Sequence, residues 1–282
     1  MNRKPLKIRM SKGDKIMRLV CTFICVIFLL FFALPLGYVL ISSIRTRNGW
    51  SLDGYLLLLQ NKFVLTGLKN STLLATLGTI YSLCLEIPTA FVLSKKEYGR
   101  LTSLFMALSQ FGVAILPLYL LLKKMGLLNS LWGLILPTGM SIHYTLLLRA
   151  RMINLSEELE DAASLDGCGA LRYLLRICIP IMGPSIGVFA FFHICSYWSN
   201  TLLAKTILTD ESKFPLTLVL NRILIENQAS SVLGSSASAA SLAATQMAGF
   251  GLCVISTLPL IGVFLLIKKH VKTLETEGGL NM

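Results

Sequence analysis

The chain has 282 residues, 54% of them hydrophobic and 14% charged, with a mean hydropathy of +0.71. A water-soluble globular domain carries about 25% charged residues, so this composition excludes a fold coated in charge and points to a membrane protein. The net charge of +12 would suggest nucleic acid in a soluble protein. Here the cations lie in short segments between apolar runs, so topology accounts for them and no nucleic-acid partner is expected.

Roughly 20 apolar residues cross a bilayer as a helix. Six stretches qualify: 19–44, 71–94, 101–122, 130–149, 183–205 and 245–267. The expected fold is therefore an all-α membrane protein with six transmembrane helices. The first stretch follows the basic segment RKPLKIRMSKGDKIMR (3–18). It is too long for a cleavable signal and lacks an A-x-A exit, so it reads as a retained span. Residues 1–18 then form a short N-terminal segment, and 19–282 a single transmembrane domain.

Lys and Arg set the orientation. With the N-terminus inside, the inner segments carry 17 of them and the outer segments 9. The expectation is a multi-pass protein of the bacterial cell membrane with both termini cytoplasmic. Pro35, Pro88, Pro117, Pro137, Pro184 and Pro259 fall at or inside spans. Each removes a backbone donor, and membranes tolerate this where neighbours or water satisfy the freed carbonyl. That implies a bundle with an interior. The small-residue stretch ASSVLGSSASAASLAATQMAGFG (229–251) reads either as a flexible outer loop or as a surface for close helix approach. The seven cysteines show no CxxC or CxxH spacing, so neither metal nor redox chemistry is expected.

One polar segment interrupts the pattern between spans four and five, on the expected cytoplasmic side. EELEDAASLDGCGALRYLLRICIP (157–180) opens with four acids in five positions. Ser156 suits an N-cap, and early acids suit the positive end of a helix dipole. At 100° per residue, Glu157, Glu160, Asp161 and Ser164 form one stripe. Leu159, Ala162, Ala163 and Asp166 form the opposite one. Gly167 and Gly169 then break the helix, and Asp166 is placed to cap the helix beyond the break. That second short helix is expected over 169–178, with Leu171, Leu174, Leu175 and Cys178 on one face. The arrangement reads as a helix–turn–helix on the inner membrane face, with small residues that let a protein partner come close. The bland alternative is a solvated linker.

These residues resemble the cytoplasmic motif of ABC-importer permeases: Glu-Ala-Ala, three residues, Gly, nine residues, Ile-x-Leu-Pro. The chain has Asp161-Ala162-Ala163, SLD, Gly167, CGALRYLLR and Ile177-Cys178-Ile179-Pro180, with every spacing kept. It departs by Asp for the leading Glu and Ile for the Leu. The longer form ELEDAASLDG is similar to carbohydrate permeases of the maltose type. NSTLLATLGT (70–79) and LPLYLLLKKMGLLNSLWGLILP (116–137) extend the likeness, and the tail KTLETEGGLN matches loosely. FPLTLVLNRILIENQ (214–228) resembles the sub-branch for complex or oligomeric saccharides.

The resemblance implies that this loop is a coupling helix, in which Glu158, Asp161, Ala162, Ala163, Asp166 and Gly167 meet a cytoplasmic ATPase. It implies four kinds of partner: a second permease subunit in a heterodimer, an ATPase dimer, an extracytoplasmic solute-binding protein and membrane lipids. None of the 21 glycines precedes a Lys, so the chain has no P-loop of its own. It is expected to be a transport subunit and not an enzyme. It needs no cofactor itself, ATP and Mg being held by the partner.

Polar groups inside spans are candidates for the substrate path. Glu86 is the acid well inside a span, read either as a substrate contact or as a group near a watery interior or paired with another chain. His143 and His193 read as bonded interior side chains, not metal ligands. Tyr197, Trp198 and Asn200, in SYWSNT, suit a glycan path, since aromatic faces and amides recognise sugars; interfacial belt residues are the alternative. The favoured function is import of a sugar or oligosaccharide by alternating access. The alternatives are a non-sugar solute such as a peptide or oxyanion, or a multipass membrane enzyme. The latter is disfavoured because GxSxG is absent and the acids cluster in one loop.

Overall fold

The computed structural model describes residues 12–46, 49–112, 114–155, 157–232 and 239–277. Most of the basic segment at 1–18, Ser156, residues 233–238 of the small-residue stretch and the last five residues of the tail lie outside the described residues.

Long apolar runs become long helices: α1 (Lys12–Ile44), α3 (Lys62–Ser94) and α14 (Ala239–Glu277). Within them, Ile16–Ile44, Lys62–Ser94 and Met247–Lys269 are long and apolar enough to cross a membrane. A fourth span arises if Ala170–Ile181 and Gly183–Ser199, bent by 83° at their junction, act as one. Between α1 and α3 stand a two-strand antiparallel ribbon, β1 (Arg45–Thr46) and β2 (Gly49–Trp50), and the short helix α2 (Asp53–Gln60).

The stretches at 101–122 and 130–149, which read as single spans, are each broken in two. The first holds α4 (Gly99–Leu108) and α5 (Ile115–Lys124); the second holds α6 (Trp132–Thr138) and α7 (Ile142–Ile153). The breaks have local causes. After α4, the Ser109 hydroxyl donates to the Met106 carbonyl at 2.6 Å, and such local bonding competes with helix. After α6, Pro137 and Gly139 weaken the helix, and Ser141 takes the extended N-cap conformation that opens α7.

The polar loop forms α8 (Glu157–Leu165), then α9 (Ala170–Tyr173), a π-type turn at Leu174–Cys178, and α10 (Ile179–Ile181). Next come α11 (Gly183–Ser199), with Pro184 in its first turn, and α12 (Thr201–Ile207). The segment at 214–228 is itself mostly helical, as α13 (Leu216–Val232). Pro215 precedes it, and Leu216, Val219, Leu220 and Ile223 repeat at helical spacing on its packed side.

Helix α3 is the axis of the molecule, packing against α11, α7, α13 and α6. Two apolar clusters flank it. One joins Leu74, Tyr197, Trp198, Ile207, Leu216 and Leu252. The other joins Ile87, Leu148, Met152, Ala163, Tyr173 and Phe189. The α3–α11 approach is close because Gly78 leaves room for the Tyr197 ring; a Cβ at 78 would stand 2.6 Å from that ring. The first end of α3 is pinned by side chains. Asn70 Nδ2 donates to the Ser212 and Phe214 carbonyls at 2.9 and 3.1 Å, and the Leu216 N–H donates to Ser71 Oγ at 2.8 Å. Helix α1 lies against α14, with most of its large apolar side chains uncovered.

Candidate functional site

Helix α8 ends in a complete Schellman closure. The Cys168 N–H donates to the Ala163 carbonyl at 2.9 Å, and the Gly167 N–H to the Ser164 carbonyl at 3.0 Å. Gly167 has φ of 72°, the left-handed conformation this closure needs at the residue after the cap, which glycine adopts without a Cβ penalty. The backbone reverses there, and Gly169 becomes the extended N-cap of α9. No side chain caps α9, so the capping expected of Asp166 is not made. Glycine's freedom already supplies the turn.

The faces of α8 also differ from the expected stripes. Ala163 is 7% exposed and packs into the cluster with Met152 and Tyr173. Glu160 turns the same way and pairs with Lys95. Asp161, Ala162 and Asp166 are exposed, and Leu165 is 90% exposed. The outward surface thus combines Asp161 and Asp166 with Ala162, Ser164 and the leucines Leu159 and Leu165, ending on a reversed backbone. The side chains of Glu157 and Glu158 lie outside the described residues. On the following turns Tyr173, Leu174 and Cys178 are buried while Leu171 and Leu175 are exposed. The π-type turn at Leu174–Cys178 shifts the periodicity, so the expected four-residue face is split.

The second constellation lies in the C-terminal half of α3. Glu86 is fully buried. One oxygen accepts the Ser141 N–H at 2.7 Å, and the other lies 2.8 Å from His193 Nε2. A buried carboxylate requires such partners. Here they come from two other helices, so Glu86 joins α3, α7 and α11. The Tyr144 ring stands edge-on to His193 at 5.0 Å. One turn away, Ser82 Oγ and Tyr197 Oη are 2.9 Å apart. Ser82 and Glu86 on α3 thus face Tyr197 and His193 on α11, each pair at i, i+4, as two polar rungs between antiparallel helices. The Thr79 hydroxyl nearby is buried and has no partner among the described residues.

Of the expected path residues, Tyr197 and Trp198 are buried; Trp198 Nε1 donates to the Ser256 carbonyl at 3.0 Å. Asn200 is half-buried at the break between α11 and α12. His193 is bonded as expected, whereas His143 is exposed on this chain. Glu86 and Tyr197 are brought together on the rungs, separate from the outward face of α8. Sequence reasoning missed Ser82, Ser141, Lys95 and Glu160 as partners. It also missed Asn129, which has φ of 57° and accepts the Thr209 and Asp210 N–H groups at 3.3 and 3.0 Å. Gly126 and Asn129 in GLLNS, residue types that accept positive φ, were the available signal.

No family model matches the chain. It is 28% identical over 262 residues to the polygalacturonan/rhamnogalacturonan transport system permease protein YtcP of Bacillus subtilis (strain 168), covering 86% of this chain and 92% of that one. Protein LplC of the same organism is 27% identical over 252 residues, with 84% and 85% covered. The arabinooligosaccharides transport system permease protein AraQ, also of Bacillus subtilis, is 26% identical, with 74% and 71% covered. Among solved structures, a chain from a bacterial ABC transporter involved in the import of the acidic polysaccharide alginate superposes with a TM-score of 0.77. It shares 23% identity, with 93% of this chain and 99% of that one covered. The named transport relatives are permease subunits, not enzymes, and the fold is shared with a chain of an importer.

Proposed function

We propose that this chain is the transmembrane permease subunit of an ABC importer that moves a sugar or oligosaccharide into the cell by alternating access. The carrying observation is the outward face of α8, closed on Gly167, at one end of a helical membrane protein that has no P-loop. The names of its relatives support a saccharide cargo. Six spans and cytoplasmic termini are the topology this reading takes, with residues 1–18 as a terminal segment and 19–282 as one transmembrane domain.

In this reading α8 is the coupling helix and Glu158, Asp161, Ala162, Ala163, Asp166 and Gly167 serve it. Asp161, Ala162 and Asp166 face the ATPase. Ala163 seats the helix on its own bundle, and Gly167 fixes the reversal. Hydrolysis of ATP with Mg occurs on that partner, and this chain holds no cofactor. A second permease subunit, different in sequence, completes the path, lipids cover the apolar faces, and an extracytoplasmic binding protein delivers the cargo. Rigid shifts of packed helices carry the signal inward. Glu86, Tyr197 and Trp198 hold the helices that shape the path, and Asn200, at a helix break, is the amide open to it.

The deciding experiment is Gly167→Pro. Proline locks φ near −65° and cannot take the value found here. The variant should reach the membrane at the normal level while retaining at least about ten-fold less ATPase on gentle extraction, and saccharide uptake should be lost. Normal uptake by that variant would sink the coupling role of α8.

A further inference from the structure

We propose that Lys95 is a positioning residue of transport: its ion pair with Glu160 carries displacement of α8 into α3. The proposal rests on the reading of α8 as the surface that meets the ATPase. Lys95 is the residue that ends α3, its N–H donating to the Val92 carbonyl, and a cation is favoured at that end of a helix. Its ammonium pairs with the Glu160 carboxylate. It also stands over the Phe91 ring at 4.8 Å and reaches the Tyr173 ring at 6.0 Å. The Lys95 side chain is 30% exposed and the Glu160 side chain 47%, so water reaches the pair from the Glu160 side and screens it in part. A cavity of about 480 Å³ opens beside it, lined by Lys95, Arg149, Glu160 and Tyr173 among others. The pair spans a place where apolar packing is incomplete.

Among the described side chains of α8, the other that faces inward is Ala163, a methyl in an apolar cluster. A methyl contact resists separation but scarcely resists sliding, because dispersion is non-directional. The ion pair adds a contact between charged groups at fixed positions, its ammonium set against the Phe91 ring, so it opposes sliding as well. The same end of α3 is tied to α7, where Arg149 Nε donates to the Leu93 carbonyl at 2.8 Å. Nine residues back along the helix, about 14 Å at 1.5 Å per residue, stands Glu86 with its bonds to α7 and α11. Lys95 therefore lies where a pull on α8 enters the helix that holds the other two. Such a route is established only by measured coupling.

The test uses the native complex extracted with its ATPase, MgATP as the probe and hydrogen exchange as the readout. In the natural protein MgATP should change exchange at residues 157–165 and at 141–145. In Lys95→Met, which keeps the stem, and in Glu160→Gln, the change at 157–165 should persist. The change at 141–145 should shrink about three- to ten-fold. The double variant should be no worse than either single one, and Lys95→Arg should behave as the natural chain. An undiminished response at 141–145 in the single variants overturns the proposal, as does additivity in the double. Loss of the ATPase from either variant also overturns it, since the pair would then be a docking contact. If MgATP changes nothing at 157–165 in the natural complex, the reading of α8 fails first and takes the proposal with it.

Discussion

Helix α8 and the Glu86 node both set carboxylates beside apolar groups, on opposite plans. On α8, Asp161 and Asp166 stand exposed beside the uncovered Leu165 and a glycine reversal. At the node, both oxygens of Glu86 are bonded to helices distant in sequence, and the carboxylate is sealed from solvent. The first arrangement leaves its charged and apolar groups open on the surface of this chain. The second is complete and holds the chain's own helices. A charged residue in a membrane protein is therefore read by where its bonds go, more than by its presence.

The difference can be broken experimentally, and the largest effect belongs to the node. Glu86→Leu leaves the Ser141 N–H and His193 without their buried partner. It should cost about 3–5 kcal/mol, seen as a fall in the thermal midpoint of the detergent-extracted protein. A midpoint within a degree of the original would mean that the node does not hold α7 and α11. Next is Gly78→Ala, where the added methyl meets the Tyr197 ring. Overpacking of this kind costs about 1–3 kcal/mol, and an unchanged midpoint would show that the two helices separate freely.

On α8 the expected stability effect is smaller still. Asp161→Ala and Leu165→Ala should change unfolding by less than about 0.5 kcal/mol while reducing the ATPase retained on extraction. If stability falls and retention does not, the two regions have been assigned the wrong way round.

The smallest effect concerns Asp210, outside the spans. The Ser212 hydroxyl and N–H donate to its carboxylate, and Lys213 lies nearby, so its pKa sits below the usual carboxylate value. A depressed folded-state pKa adds stability that is fully present above the unfolded pKa and is lost as pH falls through the folded one. Protection of the Ser212 amide should stay level above about pH 5 and fall only below about pH 4. A fall between pH 7 and 5 would contradict the carboxylate bonds. Asp210→Asn should remove the acid-dependent step.

Legibility in the sequence divides along the same line. Helix α8 and its Gly167 turn were readable because a Schellman closure involves residues at most five apart, and acids, small residues and glycine mark it locally. The Glu86 node was half-readable. An acid in an apolar span announces itself, but its partners lie 55 and 107 residues away, beyond any local pattern. Tyr197 and Trp198 were singled out for their chemistry, yet aromatic rings suit a core, a membrane belt and a sugar face alike, and burial decides where these two sit. The breaks within 101–122 and 130–149 were hidden because hydropathy records apolarity, not backbone continuity. Helix α13 was overlooked because its fringe of Asn, Arg, Glu and Gln resembles an outer loop, although its leucines and valine repeat at helical spacing. Lys95 and Glu160 had no signal beyond opposite charge.

The contact of Gly78 with Tyr197 also sets a rule for how a lineage of such chains can drift. The ring fills the space that any side chain at 78 would need, and its hydroxyl is engaged by Ser82. A larger residue at 78 is accommodated only when 197 becomes smaller, and the Ser82 hydroxyl then loses its partner. Positions 78, 82 and 197 should therefore change as a group. Among descendants of this sequence, a substitution at Gly78 that keeps Tyr197 should be rare, and a Tyr197 replaced by a small residue should free Gly78 to vary.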